Sequence, residues 1–338
     1  MTAPVLTIVI PCYNEEEVLP ETMRQLTSLL DELTGECLIS EKSKLLFVDD
    51  GSKDMTWPLI YKKGLEDYRV KGIKLARNAG HQNALLAGLF AAKAHSDCLV
   101  SIDADLQDDI SVIREFLARF ADGYEVVYGV RRERQTDTLF KKHSAQVFYK
   151  VMKLMGVTIV YNHADYRLMS RRAVDALEQF NESNLFLRGV VPLVGFRSTT
   201  VYYDRKERLA GETKYPLRKM LSFALDGITS FSVTPIRLIS LMGFISFFVS
   251  LLFGGYFFFL KFSGQTETGW TSLITSIWLI GGLQLIAMGF IGEYIGKIYK
   301  ETKRRPKFVV DIDTYNLGIP KTSSKNGTNQ HLNKEGTL

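Results

Sequence analysis

The chain is short of cysteine and histidine, with three Cys and five His in 338 residues. Cys12, Cys37 and Cys98 lack metal-site spacing, and an odd count argues against a disulfide framework, so a reducing compartment is expected. His81, His95, His143, His163 and His331 show no ligand spacing and read as incidental. No GxGxxG or GxxxxGKS/T pattern follows the first apolar run, which disfavours a dinucleotide fold or a P-loop ATPase. The opening TIVIPCYNEEE turns acidic after a strand-length apolar run, so it does not read as a secretory signal. Excess charge is also scarce. A net +5 from 42 basic and 37 acidic residues is mild, and no nucleic-acid partner is expected.

Apolar residues, by contrast, make up 46% of the chain, and the excess lies late. The stretch 235–260 has Arg237 as its one charge, and 270–292 has none. Each is long enough to cross a hydrocarbon core of roughly 30 Å, so two membrane helices are expected. Arg218 and Lys219 precede the first, and Arg237 stands near its start. Lys297, Lys300, Lys303, Arg304, Arg305 and Lys307 follow the second, and the connecting loop is nearly neutral. Positive flanks on both outer sides put both termini and the large N-terminal part in the cytoplasm. The expected organisation is a catalytic domain over 1–214, a juxtamembrane amphipathic helix over 215–234 and a transmembrane hairpin over 235–296. A basic segment with a disordered tail fills 297–338.

The first 130 residues alternate apolar strands with amphipathic helices, the pattern of an α/β domain with a mainly parallel sheet. Strands are expected at 6–11, 44–50, 72–76, 98–103 and 125–130. HQNALLAGLFAAKAH reads as a small-residue helix able to pack close to the sheet. Ligands of such sheets gather at the carboxyl ends of the strands. There the chain places Pro11-Cys12-Tyr13-Asn14-Glu15, Asp49-Asp50-Gly51-Ser52, Arg77-Asn78, Asp103-Ala104-Asp105 and Arg131-Arg132. One aspartate at one strand end is an ordinary cap or turn. A set along one edge is harder to explain by capping. Paired carboxylates can hold a hard divalent cation, to which a diphosphate adds oxygen ligands, and arginines offset charge on a departing diphosphate. The parts suit a nucleoside-diphosphate donor.

VIPCYNEEE, VDDGSKD, RNAGHQNALLAG, DADLQDD and RLAGETKY occur in that order. With the two spans, they resemble the family 2 inverting glycosyltransferases of the GT-A fold, a Rossmann-like, mainly parallel sheet. The branch most resembled is the polyprenyl-phosphate sugar transferases of the dolichol-phosphate mannosyltransferase and bactoprenol glucosyltransferase type.

The resemblance implies that Asp103 and Asp105 bind Mg²⁺ or Mn²⁺ and the donor diphosphate, with Gln107 in the same shell. It implies that Pro11, Tyr13 and Glu15 line the nucleotide, that Asp50 reads the base beside Asp49, and that Arg77 lies near the nucleotide. Arg131, Arg208 and Lys214 resemble the cluster that receives the acceptor phosphate. Asp165 stands where an acidic base has been proposed, although a salt bridge to Arg167 or Arg171 is an equal reading. The chain departs from the family at Asp108-Asp109-Ile110, where a proline-rich turn is usual. Asp108 or Asp109 is expected to cap the next helix.

The activity implied is transfer of a sugar from UDP-glucose or UDP-N-acetylglucosamine to undecaprenyl phosphate at the bacterial cytoplasmic membrane, for cell-envelope glycosylation. The glycine-rich patches of the spans suit homo-oligomer packing. The alternatives are a GDP-mannose-dependent mannosyltransferase and a non-catalytic scaffold. A processive synthase is disfavoured, since the chain lacks Gln-x-x-Arg-Trp and has too few spans. A scaffold is disfavoured because Asp50, Asp103 and Asp105 all stand.

Overall fold

The structure is a computed structural model that describes residues 3–132, 163–180, 182, 187–204 and 269–316, with scattered helical positions between 236 and 259. Eight strands form one sheet. They are β1 (Leu6–Cys12), β2 (Lys44–Asp49), β3 (Val70–Leu75), β4 (Cys98–Ser101), β5 (Val126–Arg131), β6 (His163–Ser170), β7 (Ser198–Tyr203) and β8 (Val310–Asp313). The order across the sheet is β7-β5-β6-β4-β1-β2-β3-β8. The expected strands are all present, and the sheet is mixed, with four of its seven pairings parallel, β5 with β7 among them. β1 pairs in parallel with β2 and β4, and β2 with β3, whereas β6 runs antiparallel to both β4 and β5, and β8 antiparallel to β3.

Both faces of the sheet are covered, which is why β1 is buried along its whole length. On one face Leu6, Ile8 and Ile10 pack with Leu19, Met23, Leu26 and Leu30 of α1 (Leu19–Gly35) and Phe116 of α4 (Ile113–Ala121), and Ile60 of α2 (Thr56–Glu66) joins them. On the other face Val9, Leu46, Val48 and Ile73 pack with Leu85, Leu86 and Leu89 of α3 (His81–Ala92). Val174 and Leu177 of α5 (Arg171–Glu178) and Val190 of α6 (Leu187–Leu193) complete that layer. α3 lies close to the sheet because Gly88 has no Cβ: one built there would sit 2.3 Å from Val9 Cγ1 and 2.8 Å from Val48 Cγ2.

The last long element is α7, Trp270–Thr302. Its 33 residues span about 50 Å at about 1.5 Å per residue. Within it, Leu279–Thr302 contains an 18-residue stretch with a mean hydropathy of 1.4, and this is the one helix among the described residues long and apolar enough to cross a membrane. Leu279 is 73% exposed and Leu285 68%. The helix thus runs unbroken past the span expected at 270–292. Of the span expected at 235–260, the described positions are helical, with Phe244, Phe248 and Leu252 exposed. The amphipathic segment 215–234 and the tail beyond 316 lie outside the described residues.

The chain returns from α7 to the sheet. Ala76 N–H donates to Val309 O at 2.9 Å, and β8 then pairs with β3. Thr314 Oγ1 accepts from Gly72 N–H at 2.8 Å and donates to Gly72 O at 2.9 Å, and Tyr315 OH lies 3.0 Å from Thr7 Oγ1. The basic stretch after the apolar helix therefore leads directly into a strand of this sheet, which its sequence does not announce.

Gly88→Ala is expected to lower stability by about 1–3 kcal/mol through overpacking. Gly35→Ala, whose Cβ meets nothing within 4 Å, should be neutral or slightly stabilising. Denaturant unfolding of both variants checks this, and equal effects would contradict the close packing of α3.

Candidate functional site

Three loops at the carboxyl ends of β1, β2 and β3 are bound to one another by backbone N–H groups that donate to side chains. Asn14, at φ 54°, donates its N–H to Ser52 Oγ at 3.0 Å, and its Oδ1 accepts from Lys53 N–H at 2.9 Å. Glu15 N–H donates to Thr56 Oγ1 at 2.8 Å, and Glu16 Oε2 accepts from Met55 N–H at 2.9 Å. The second loop then grips the third. Asp50 accepts from Ala79 N–H at 2.6 Å and Gly80 N–H at 2.9 Å, one bond to each carboxylate oxygen. Gly51, at φ 71°, passes so near that a Cβ would lie 2.7 Å from the Arg77 carbonyl carbon. Pro11 is buried in β1, while Tyr13 is 42% exposed and Arg77 is exposed at the rim.

Asp50 is thus a buried staple for the loop leading into α3, a task additional to the base contact expected of it. A carboxylate has about four lone-pair sites, so two amide bonds leave acceptor capacity. Asp49 is fully buried. Its Oδ1 accepts from Ser52 N–H at 3.1 Å, and its Oδ2 has no hydrogen-bond partner among the described residues; burial pushes its carboxyl up.

After β4 the chain turns sharply. Thr22 Oγ1 of α1 donates to Ala104 O at 2.7 Å, Leu106 takes φ 53°, and Asp105 Oδ1 accepts from the Gln107 N–H at 3.2 Å. Gln107 is buried beneath this turn. Burial pushes the Asp103 carboxyl up to about 6, with the carboxylates of Asp165, Asp108 and Asp105 adding to the effect and His81 opposing it. His81, the first residue of α3, puts Nε2 3.4 Å from Asp103 Oδ1 and 3.9 Å from Asp165 Oδ2. It is not incidental.

Asp165 lies on β6, antiparallel to β4, and pairs with Arg167 Nη2 at 2.8 Å and Arg188 Nη2 at 3.3 Å. Burial opposes ionisation there, but Arg188, Arg167 and His81 outweigh it and hold the carboxyl well below the usual carboxylate range. Of the two salt bridges foreseen for Asp165, the one to Arg167 forms; Arg171 pairs instead with Asp175 at 4.0 Å.

The Asp108-Asp109 pair divides. Asp109 caps the short turn at 110–112, accepting from Ser111 N–H at 3.2 Å, as expected for a helix start. Asp108 does not cap. It is buried and accepts from Arg131 Nη2 at 3.1 Å and Tyr203 OH at 2.6 Å, so the arginine expected at the acceptor phosphate is held by a neighbouring carboxylate. Arg208 and Lys214 lie outside the described residues. The residues that sequence reasoning missed here are His81 and Arg188.

Among the described residues no group of three or more His, Cys, Asp or Glu is arranged to hold a metal alone. Asp103 and Asp105 nonetheless fit a cation shared with a diphosphate. They are two carboxylates separated by one residue, where burial, with the carboxylates of Asp165, Asp108 and Asp105 adding to it, raises the Asp103 carboxyl, and a diphosphate with water can supply further oxygens.

Residues 7–178 match the family described as glycosyl transferase family 2. The "Uncharacterized glycosyltransferase YkoT" of Bacillus subtilis (strain 168) is 60% identical over 93% of either chain. The "Prophage bactoprenol glucosyl transferase homolog" of Escherichia coli (strain K12) is 37% identical over 90% of this chain and 98% of its own. The "Bactoprenol glucosyl transferase" of Shigella phage SfV is 37% identical over 90% and 97%. Among solved structures, glucosyl-3-phosphoglycerate synthase from Mycobacterium tuberculosis is similar over 68% of this chain and 79% of its own, with a TM-score of 0.44 and 16% identity.

The Asp103 carboxyl is raised from 3.8 to about 6, so the native state binds that proton more tightly than the unfolded chain. The stability it contributes is present below about pH 4 and is lost as pH rises through about 6. In chelator, melting of wild type and Asp103→Asn between pH 4 and 8 should therefore diverge, the variant being the more stable above pH 7. Parallel curves would contradict the crowding.

Proposed function

The chain belongs to glycosyl transferase family 2, and on that premise we propose that it moves a hexose from a nucleoside-diphosphate donor to undecaprenyl phosphate at the cytoplasmic face of the bacterial plasma membrane. UDP-glucose and UDP-N-acetylglucosamine are the proposed donors. The observation that supports a membrane-borne acceptor most directly is the return of the chain from α7. The Val309 carbonyl accepts from Ala76, one residue before Arg77, so the chain leaving the apolar helix joins the sheet at the rim of the strand-end site. Relatives named bactoprenol glucosyl transferase, aligned over nearly their whole length, support the same acceptor. In this reading 235–260 and 270–292 both span the membrane, both termini are cytoplasmic, and 215–234 lies along the interface.

The chemistry asks little of a base. A phosphate monoester has its second pKa near 6, so the acceptor arrives with an ionised oxygen. That oxygen forms a bond to the sugar C1 from the face opposite the leaving group. The bond between C1 and the diphosphate oxygen breaks, its electron pair leaves with the nucleoside diphosphate, and configuration at C1 inverts. The harder tasks are bringing two anions together and accommodating the charge of the departing one.

Tyr13, Pro11, Glu15, Asp50 and Arg77 are the proposed lining of the nucleotide, on loops already bound to one another by backbone-to-side-chain hydrogen bonds. Asp103 and Asp105, with Gln107 beneath them, would hold a Mg²⁺ or Mn²⁺ ion, which when bound would supply positive charge to the diphosphate. Arg131, Arg208 and Lys214 are the proposed groups around the acceptor phosphate and the departing diphosphate.

Full-length protein with undecaprenyl phosphate, Mn²⁺ and radiolabelled UDP-glucose or UDP-N-acetylglucosamine should yield a labelled lipid. Asp103→Asn should reduce the rate by about 100-fold or more. No labelled lipid from either donor, or a fully active Asp103→Asn protein, would overturn the assignment.

A further inference from the structure

Asp165 is built as a bracket. Its Oδ1 accepts from Arg167 Nη2 at 2.8 Å and Arg188 Nε at 3.5 Å, and its Oδ2 accepts from Arg188 Nη2 at 3.3 Å. Arg188 therefore presents its fork to both oxygens, a geometry that fixes the plane of the guanidinium. The two arginines differ in depth. Arg167 is 2% exposed, whereas the Arg188 side chain is 40% exposed. The backbone beside Arg188 is fixed as well. Leu187 N–H donates to Gln82 Oε1 at 3.3 Å, tying the start of α6 to the first turn of α3, where His81 reaches both Asp165 and Asp103. Arg188 thus stands three contacts from Asp103, along the line Asp103–His81–Asp165–Arg188.

A general base needs a lone pair aimed at the group it deprotonates. Both oxygens of Asp165 face guanidinium donors, and the acceptor in the proposed reaction is already ionised. Charge also argues for binding. Arg167 and Arg188 bring two positive charges to the one carboxylate of Asp165. Of the two, Arg188 is the one whose side chain reaches solvent, at 40% exposed.

We propose that Arg188 takes part in receiving the phosphate of the lipid acceptor, and that Asp165 is a positioning residue that orients Arg188 rather than the base of the reaction. This rests on the polyprenyl-phosphate reading given above and assigns that substrate a residue outside the cluster expected from sequence.

Steady-state kinetics of the full chain, varying undecaprenyl phosphate at saturating donor and then the reverse, test it. Arg188→Gln should raise the KM for undecaprenyl phosphate by about tenfold or more while the donor KM moves less than about twofold. Arg188→Lys keeps the charge without the fork and should raise the lipid KM less. It also secures the test if the glutamine variant does not fold. Asp165→Asn should raise the same KM and keep the wild-type dependence of kcat on pH, and the double variant Asp165→Asn/Arg188→Gln should be no worse than Arg188→Gln alone. An Asp165→Asn protein with unchanged lipid KM, reduced kcat and a lost acid limb in its pH profile would make Asp165 the base and overturn the proposal. So would Arg188 variants with a wild-type lipid KM. A wild-type chain that glycosylates no polyprenyl phosphate overturns the underlying reading instead, so the two failures are distinguishable.

Discussion

Carboxylates gathered at the end of a buried strand repel one another, and the arrangement of this site follows from how that repulsion is met. Asp103, Asp105, Asp108 and Asp165 converge where β4 ends. Two of them are met by the chain itself: Asp108 by Arg131 and Tyr203, and Asp165 by Arg167 and Arg188. Breaking such a buried pair by removing one partner typically costs about 3–5 kcal/mol, so these pairs hold the strand ends in place. Asp103 is treated differently. It has His81 at 3.4 Å, and its carboxyl stays raised. The protein neutralises the flanks of the cluster and leaves its centre negative, as the cation and diphosphate proposed for it would require.

The loops around that centre are fixed before any ligand arrives. Asn14, Glu15 and Glu16 bind the loop after β2, and Asp50 and Gly51 bind or abut the loop after β3. Ordering those loops during folding rather than binding would lower the entropic cost of capturing the nucleotide proposed to bind there. The same third loop meets the chain returning from α7 at Ala76 and Val309. The loops proposed to line the nucleotide and the exit of the apolar helix are thus joined by one stretch of backbone.

Much of this was legible in sequence because the signals are local. Apolar runs marked the strands, and Leu19, Met23, Leu26, Leu30 and Leu33 marked the buried face of α1. The small residues of α3 marked its close approach to the sheet, which Gly88 bears out. What was missed depends on contacts between distant segments. His81 follows a glycine at a helix start and gives no ligand spacing, yet the crossover from β3 to β4 carries it to Asp103. Arg188 is one basic residue in an apolar stretch until β6 sets Asp165 beside it. Asp108 looked like a cap because nothing in sequence reveals that Arg131 and Tyr203, ends of neighbouring strands, enclose it. The strand β8 was invisible because its four residues, Val-Asp-Ile-Asp, gain their place by pairing with β3 rather than by propensity.

The central claim, a negative centre reserved for a cation and a diphosphate together, is tested most directly by calorimetric titration of UDP into the full-length protein with Mn²⁺ and with chelator. The account predicts that Mn²⁺ tightens UDP binding by about tenfold or more, a linkage of about 1.4 kcal/mol or more, and that Asp103→Asn abolishes the difference. Equal UDP affinity with Mn²⁺ and with chelator in the wild-type protein, or an undiminished Mn²⁺ effect in Asp103→Asn, would contradict it.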